Sequence, residues 1–119
     1  KSKIGLLATD ATIKTGIYNH LFNRRFNLIS PTKKLQIQNV NKSIKLVKMG
    51  KTKDAEKVLK PAVSYLLKMN CKKIILGCTE LPIAVFAYKS FKKAKISKTF
   101  LDPNLLLAEA SMKRYKFKK

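Results

Sequence analysis

The sequence predicts an α/β fold: a single three-layer domain with a four-stranded, mostly parallel sheet flanked by helices. Two observations carry this. Short apolar runs recur at 3–9 (KIGLLAT), 27–30 (NLIS), 72–77 (KKIILG) and 98–102 (KTFLD), each about the length of a buried strand. Longer segments between them repeat their apolar residues at helical spacing. Strands that alternate with helices build a parallel sheet covered on both faces. The 119 residues suffice for one domain with its own core, and not for two. An apolar share of 45% excludes a disordered tail.

Each element has its own signal. The first run ends in Thr9-Asp10-Ala11-Thr12, a turn and helix-capping pattern. A helix is expected over 12–26, with Ile13, Ile17, Leu21 and Phe22 on one face. The second strand stops at Pro31, and Thr32 can cap the next helix, in which Leu35, Val40, Ile44 and Val47 recur. Gly50 ends that helix. A third helix is expected from about Lys53 to Met69, with Ala55, Val58, Leu59, Ala62, Val63, Leu66 and Leu67 inward. Pro61 predicts a kink, or a helix beginning near it. A short helix or turn follows over 79–87, and Pro103 opens a last helix over 103–115.

The charge is extreme, 27 Lys+Arg against 6 Asp+Glu, a net of +21. The lysines are scattered over every expected element, and only Arg24, Arg25 and Arg114 break the pattern. Phosphate and base readers recruit Arg and interleave exposed aromatics. Here Trp is lacking, and most Phe and Tyr fall at core-like spacings. The charge therefore reads as a solvated coat rather than a nucleic-acid platform, with the tail KRYKFKK as the one dense cluster. No apolar run approaches the roughly 20 residues of a membrane span. The opening KSKIGLLATD turns polar too soon for a signal peptide. The sequence starts without Met, as a piece of a longer protein would.

Cysteine use is sparse. Cys71 and Cys78 bracket one expected strand, which sets them on the order of 23 Å apart. A disulfide needs Cα atoms within about 7 Å, so the two should not be bonded to each other. Two Cys and one His without metal-ligand spacing argue against a metal site. A reducing cytoplasm fits this usage.

Ligands bind outside the carboxyl ends of the strands in such a sheet. Two polar segments sit there, ATDAT after the first strand and GCTE after the third, which puts Thr9, Thr12, Cys78 and Thr79 on one edge. A helix start beside Cys78 would lower its pKa, so Cys78 should alkylate faster than Cys71. The alternative for Cys78 is a small buried hydrophobe. Cys71 reads as structural, and His20 as a surface or partly buried residue far from both loops.

Taken together, IGLLATDATIKTGIY at 4–18, Pro31 with Gln36, VKMG at 47–50, LGCTELP at 76–82 and LDPNLLLAEA at 101–110 resemble the carboxyl-terminal half of the aspartate/glutamate racemase family. The resemblance covers essentially the whole chain, in order, so 1–119 reads as a carboxyl-terminal racemase-like domain. Glu80 after the Cys-Thr pair is closer to aspartate racemases than to glutamate racemases, which usually carry His there. The resemblance implies one half of a pseudo-symmetric two-domain enzyme that uses no cofactor. A cysteine from each half serves opposite faces of the substrate α-carbon. Cys78 matches the second catalytic cysteine. Lys48 matches a lysine that pairs with a substrate carboxylate. Thr12 and Thr79 match residues that hydrogen-bond the substrate, and Glu80 a neighbour that helps set the state of the thiol.

The resemblance implies aspartate or glutamate as the small-molecule partner; the amino-terminal half is either carried by a separate chain or missing from a split or degraded gene product. Alone, the chain should have little activity. It departs from the family at Ala11, where the pattern has glycine, and at Asp10, which puts a negative charge near a dicarboxylate. The alternatives are a one-cysteine isomerase or decarboxylase of the same superfamily, and a basic module binding nucleic acid or an anionic surface.

Overall fold

The computed structural model describes residues 2–22, 25–86, 98–103 and 110–114. Strand β1 (Ser2–Leu7) is followed by helices α1 (Asp10–Thr15) and α2 (Ile17–Phe22), then β2 (Phe26–Ile29). A helical stretch comes next, made of α3 (Lys33–Leu35), a π-helical segment (Gln36–Asn41) and α4 (Lys42–Lys48). After it come α5 (Thr52–Lys68), β3 (Lys73–Leu76), α6 (Leu81–Phe86) and β4 (Phe100–Leu101). Among the described residues the strands form one four-stranded sheet, order β2-β1-β3-β4, and every pairing is parallel. Residues 110–114 are helical, as expected of the last helix. Residues 104–109 and 115–119 lie outside the described residues.

Alternation along the strands sends side chains to two faces. Leu7, Ile74 and Leu76 join one core with Val40, Ile44, Leu59, Leu66, Leu81 and Phe100, under α4, α5 and α6. Ile4, Leu6, Ala8 and Ile75 face the other way and pack with Ile13 and Tyr18 of α1 and α2. This makes three layers.

Several boundaries differ from the sequence reading. The helix expected over 12–26 starts at Asp10, because the Thr9 side chain accepts the Thr12 N–H and caps it. It then breaks at Gly16, which closes α1 in the left-handed conformation at φ 65°. That break carries Ile17 off the apolar face, to 55% exposure. Leu67 is also exposed rather than inward. The α5 helix runs through Pro61 from Thr52, so no helix begins at the proline. The fourth strand is only two residues long. The Thr32 cap is present, with its hydroxyl accepting from Leu35 N–H at 3.2 Å.

Candidate active site

The two central strands end side by side. Leu7 of β1 is in register with Leu76 of β3, and Gly77 N–H donates to Leu7 C=O at 2.7 Å. A side chain at Gly77 would bring its Cβ to 3.0 Å from the Ala8 Cβ and 3.3 Å from the Leu7 carbonyl oxygen. Glycine therefore lets the two strand ends converge. Cys78 follows at once, half-buried, where β3 opens toward α6. Thr9 caps α1 just after β1, and Thr12 stands in the first turn of that helix.

Around the thiol the sequence-expected residues form one connected group. The Thr79 hydroxyl donates to Glu80 Oε2 at 3.0 Å. Lys48 Nζ, at the end of α4, lies 3.7 Å from Glu80 Oε1. The Glu80 carboxylate also meets the Cys78 thiol, and the backbone N–H groups of Leu81 and Glu80 face the sulfur. Burial pushes the Cys78 thiol above its ordinary pKa; those N–H groups pull it down, and the Glu80 charge pushes it further up. This corrects the expectation of a depressed thiol pKa: α6 does supply N–H groups, but desolvation outweighs them.

Burial also works against ionisation of Glu80. The Thr79 hydroxyl, its own backbone N–H, the Lys48 ammonium and the Cys78 thiol prevail and hold the carboxyl below its usual range. At neutral pH the pair is thus a thiol beside a carboxylate.

Thr12 stands apart from this group. Its hydroxyl bonds to that of Thr9 at 2.9 Å, in the cap of α1. Between the N-terminus of α1, at Thr9–Ala11, and α4 lies a depression of about 370 Å³, lined among others by Asp10, Asn41, Lys45 and Lys48.

A polar network unforeseen from the sequence borders that depression. Gln36, buried at 6% exposure, donates from Nε2 to the Ala8 carbonyl and to Asn41 Oδ1, both at 2.8 Å. Asn41 Nδ2 in turn donates to Asp10 Oδ2 at 2.8 Å. Gln36 and Asn41 are five apart, a spacing that shares a face in a π-helix and not in an α-helix. Reading with the 3.6-residue period hid the pair; no signal in the residues announces a π segment.

Cys71 is buried just before β3, at the opposite end of that strand from Cys78, and both cysteines are free. His20 is exposed. Among the described residues, no group of three His, Cys, Asp or Glu side chains is placed to hold a metal ion. Among them, too, no helix is long and apolar enough to cross a membrane.

In this parallel α/β domain a thiol and a carboxylate follow β3 at the carboxyl edge of the sheet, and a lysine from the end of α4 meets the carboxylate. A family model described as Asp/Glu/Hydantoin racemase matches residues 1–110, and the chain belongs to that family. It is similar to the aspartate racemase of Picrophilus torridus, with a TM-score of 0.74 and 27% identity over 95% of this chain and 45% of that one. It is 26% identical to the glutamate racemase of Carboxydothermus hydrogenoformans over 120 residues, 98% of this chain and 42% of that protein. A Pectobacterium carotovorum subsp. carotovorum protein described as "Uncharacterized protein in pnlA 3'region" is 41% identical over 83 residues, 69% of this chain and 55% of that protein. The chain spans about half the length of the curated relatives it matches.

Proposed function

We propose that this chain is the carboxyl-terminal half of a cofactor-independent aspartate/glutamate-type racemase, working in the cytoplasm and supplying one of two catalytic cysteines. The observation that carries the reading is the Cys78 thiol against the Glu80 carboxylate, which Thr79 and Lys48 hold in place. Inversion needs a base and an acid on opposite faces of the α-carbon. A thiol kept protonated by burial is suited to be the acid. A cysteine of the amino-terminal half, borne by a partner chain, takes the α-proton. Cys78 gives its S–H proton to the opposite face and is left as a thiolate. The N–H groups of Leu81 and Glu80 steady that thiolate. In the reverse direction the Cys78 thiolate takes the α-proton and the partner thiol donates.

Lys48 pairs with the substrate carboxylate. Its charge also favours the carbanion in the transition state, where preorganised charge is most effective. The hydroxyls of Thr12 and Thr79 hydrogen-bond the substrate, and Glu80 sets the protonation of Cys78.

The test is reconstitution. Alone, the chain should interconvert L- and D-aspartate negligibly. One thiol can return a proton only to the face it came from, so at most it exchanges deuterium into one enantiomer. Adding a chain that carries the amino-terminal half should restore interconversion, and Cys78→Ser should then lower it by orders of magnitude. Racemisation by the isolated chain at ordinary enzymatic rates would sink the two-cysteine reading. A reconstituted pair indifferent to Cys78→Ser would sink the role of Cys78.

A further inference from the structure

A second depression, of about 380 Å³, opens between α1, the segment after β2 and the start of the helical stretch beyond it. None of Cys78, Thr79, Glu80 and Lys48 lines it, so it lies outside the group around the thiol. Its size falls in the range of small-molecule sites. Ile13, Pro31 and Ile37 give it a mostly apolar wall. Three polar groups on that wall are unsettled. Gln36 is buried at 6% exposure. The Ala8 carbonyl can only accept, which fixes Nε2 as the end of the Gln36 amide that faces it. Asn41 Oδ1 takes the other Nε2 hydrogen. Oε1 is thereby left buried and without a hydrogen bond among the described residues. A buried acceptor in that state costs stability that a donor would recover. The other two groups are Lys14 and Lys33, both exposed, and neither forms an ion pair among the described residues. For Lys14 this is informative. Asp10 precedes it by four residues on α1, the spacing at which a carboxylate and an ammonium pair. Asp10 Oδ2 instead accepts from Asn41 Nδ2. The Gln36–Asn41 chain that leaves Oε1 over thus also engages the acid that would neutralise Lys14.

We propose that this depression binds a small aromatic carboxylate that carries a hydroxyl at the far end of its ring. The hydroxyl donates to Gln36 Oε1, the ring lies against Ile13, Pro31 and Ile37, and the carboxylate meets Lys14 and Lys33. Each part of that ligand answers a group on the wall. Oε1 offers only lone pairs, so a carbonyl or ether oxygen would be repelled there and a hydroxyl is held. Two ammonium groups outnumber Asp10, the one acid of the wall, so the rim favours an anion. A buried acceptor and exposed cations set the polarity, with the donor inward and the charge outward. An aliphatic dicarboxylate ionised at both ends brings neither a donor for Oε1 nor an apolar body for the wall. The site therefore takes a different class of molecule from the one proposed for Cys78, and it stands or falls apart from the racemase reading.

The experiment is an NMR titration of the 119-residue chain with three probes. 4-Hydroxyphenylacetate carries all three features, phenylacetate lacks the hydroxyl, and 4-methylphenol lacks the carboxylate. 4-Hydroxyphenylacetate should shift the amides of residues 10–14 and 30–37 and bind about tenfold tighter than either of the others, the value of satisfying one buried group. Gln36 also holds Ala8 and Asn41, so its part is read by removing the hydroxyl from the probe rather than by substituting the residue. Lys14→Gln combined with Lys33→Gln should reduce 4-hydroxyphenylacetate to the affinity of 4-methylphenol. Both side chains are exposed, so circular dichroism and melting should match wild type. Phenylacetate binding as tightly as 4-hydroxyphenylacetate would overturn the proposal. So would unchanged binding in the double variant, shifts centred on Cys78 and Lys48, or no binding of 4-hydroxyphenylacetate at all.

Discussion

Lys48 Nζ stands 3.7 Å from Glu80 Oε1 and joins the end of α4 to the loop that follows β3. The Lys48 side chain is 63% exposed and that of Glu80 is 21% exposed, so the pair adds little to stability. Its consequence is electrostatic. It helps keep Glu80 ionised beside Cys78, and an ionised Glu80 opposes ionisation of the thiol. Glu80→Gln removes that charge and should lower the Cys78 pKa. The pH profile of Cys78 alkylation should move to lower pH. A profile that stays in place or moves upward would show that Glu80 does not set the state of the thiol.

Access, rather than acidity, should separate the two cysteines. Burial raises both thiols, with Lys3 pulling Cys71 slightly down. Cys71 is 5% exposed, whereas Cys78 is half-buried at the loop. Iodoacetamide followed by peptide mapping should find Cys78 modified first, slowly at neutral pH and faster as pH rises past the ordinary thiol range. The sign for stability follows. A thiol raised in the folded state stays protonated there after the unfolded chain has begun to ionise. Stability is therefore intact below the ordinary thiol range and declines as pH climbs through it toward the folded values. Greater reactivity of Cys71 would contradict its burial.

What the sequence disclosed was what depends on chain-local pattern. KIGLLAT and KKIILG are apolar on both faces because helices cover both faces, so β1 and β3 stood out. Polar residues begin where each run stops, so Thr9 and Cys78 could be placed at one edge of the sheet; the register of Leu7 with Leu76 is visible only in the structure. The left-handed turn at Gly16 was hidden because Ile13 and Ile17 keep a helical spacing across it. The Gln36–Asn41–Asp10 network was hidden for a related reason: a π segment changes which residues meet, and 3.6-residue periodicity cannot register it. The state of Cys78 was misjudged because desolvation is a tertiary quantity. A helix start is visible in sequence; the depth at which the sulfur sits is not.

The close approach at Gly77 gives a stability test. Ala at this position would press its Cβ on Ala8 and on the Leu7 carbonyl, both belonging to the neighbouring strand end. Neither is the tip of a flexible side chain, so the neighbouring strand end must give by a few tenths of an ångström. Overpacking of this kind costs about 1–3 kcal/mol. Gly77→Ala should lower the urea midpoint accordingly and change the alkylation rate of Cys78, the next residue. A variant as stable as wild type would mean that β1 and β3 can part without penalty.

Pro61 offers a change in the opposite direction. It lies on the exposed side of α5, in the interior of a 17-residue helix. Lacking an N–H, it leaves the Lys57 carbonyl without the bond that residue 61 would otherwise donate. The helix persists because its other face is buried through Leu59, Ala62, Val63 and Leu66. Tertiary packing thus overrides a local preference that favours Ala over Pro by about 3 kcal/mol in a helix interior. Against that stands the restriction proline places on the unfolded chain, about 0.4–1 kcal/mol. The difference leaves Pro61→Ala more stable by on the order of 2 kcal/mol. Urea denaturation should show a higher midpoint at an unchanged slope, since the surface exposed on unfolding is nearly the same. A loss of stability would mean that the pyrrolidine ring packs favourably in the native state by more than the missing hydrogen bond costs.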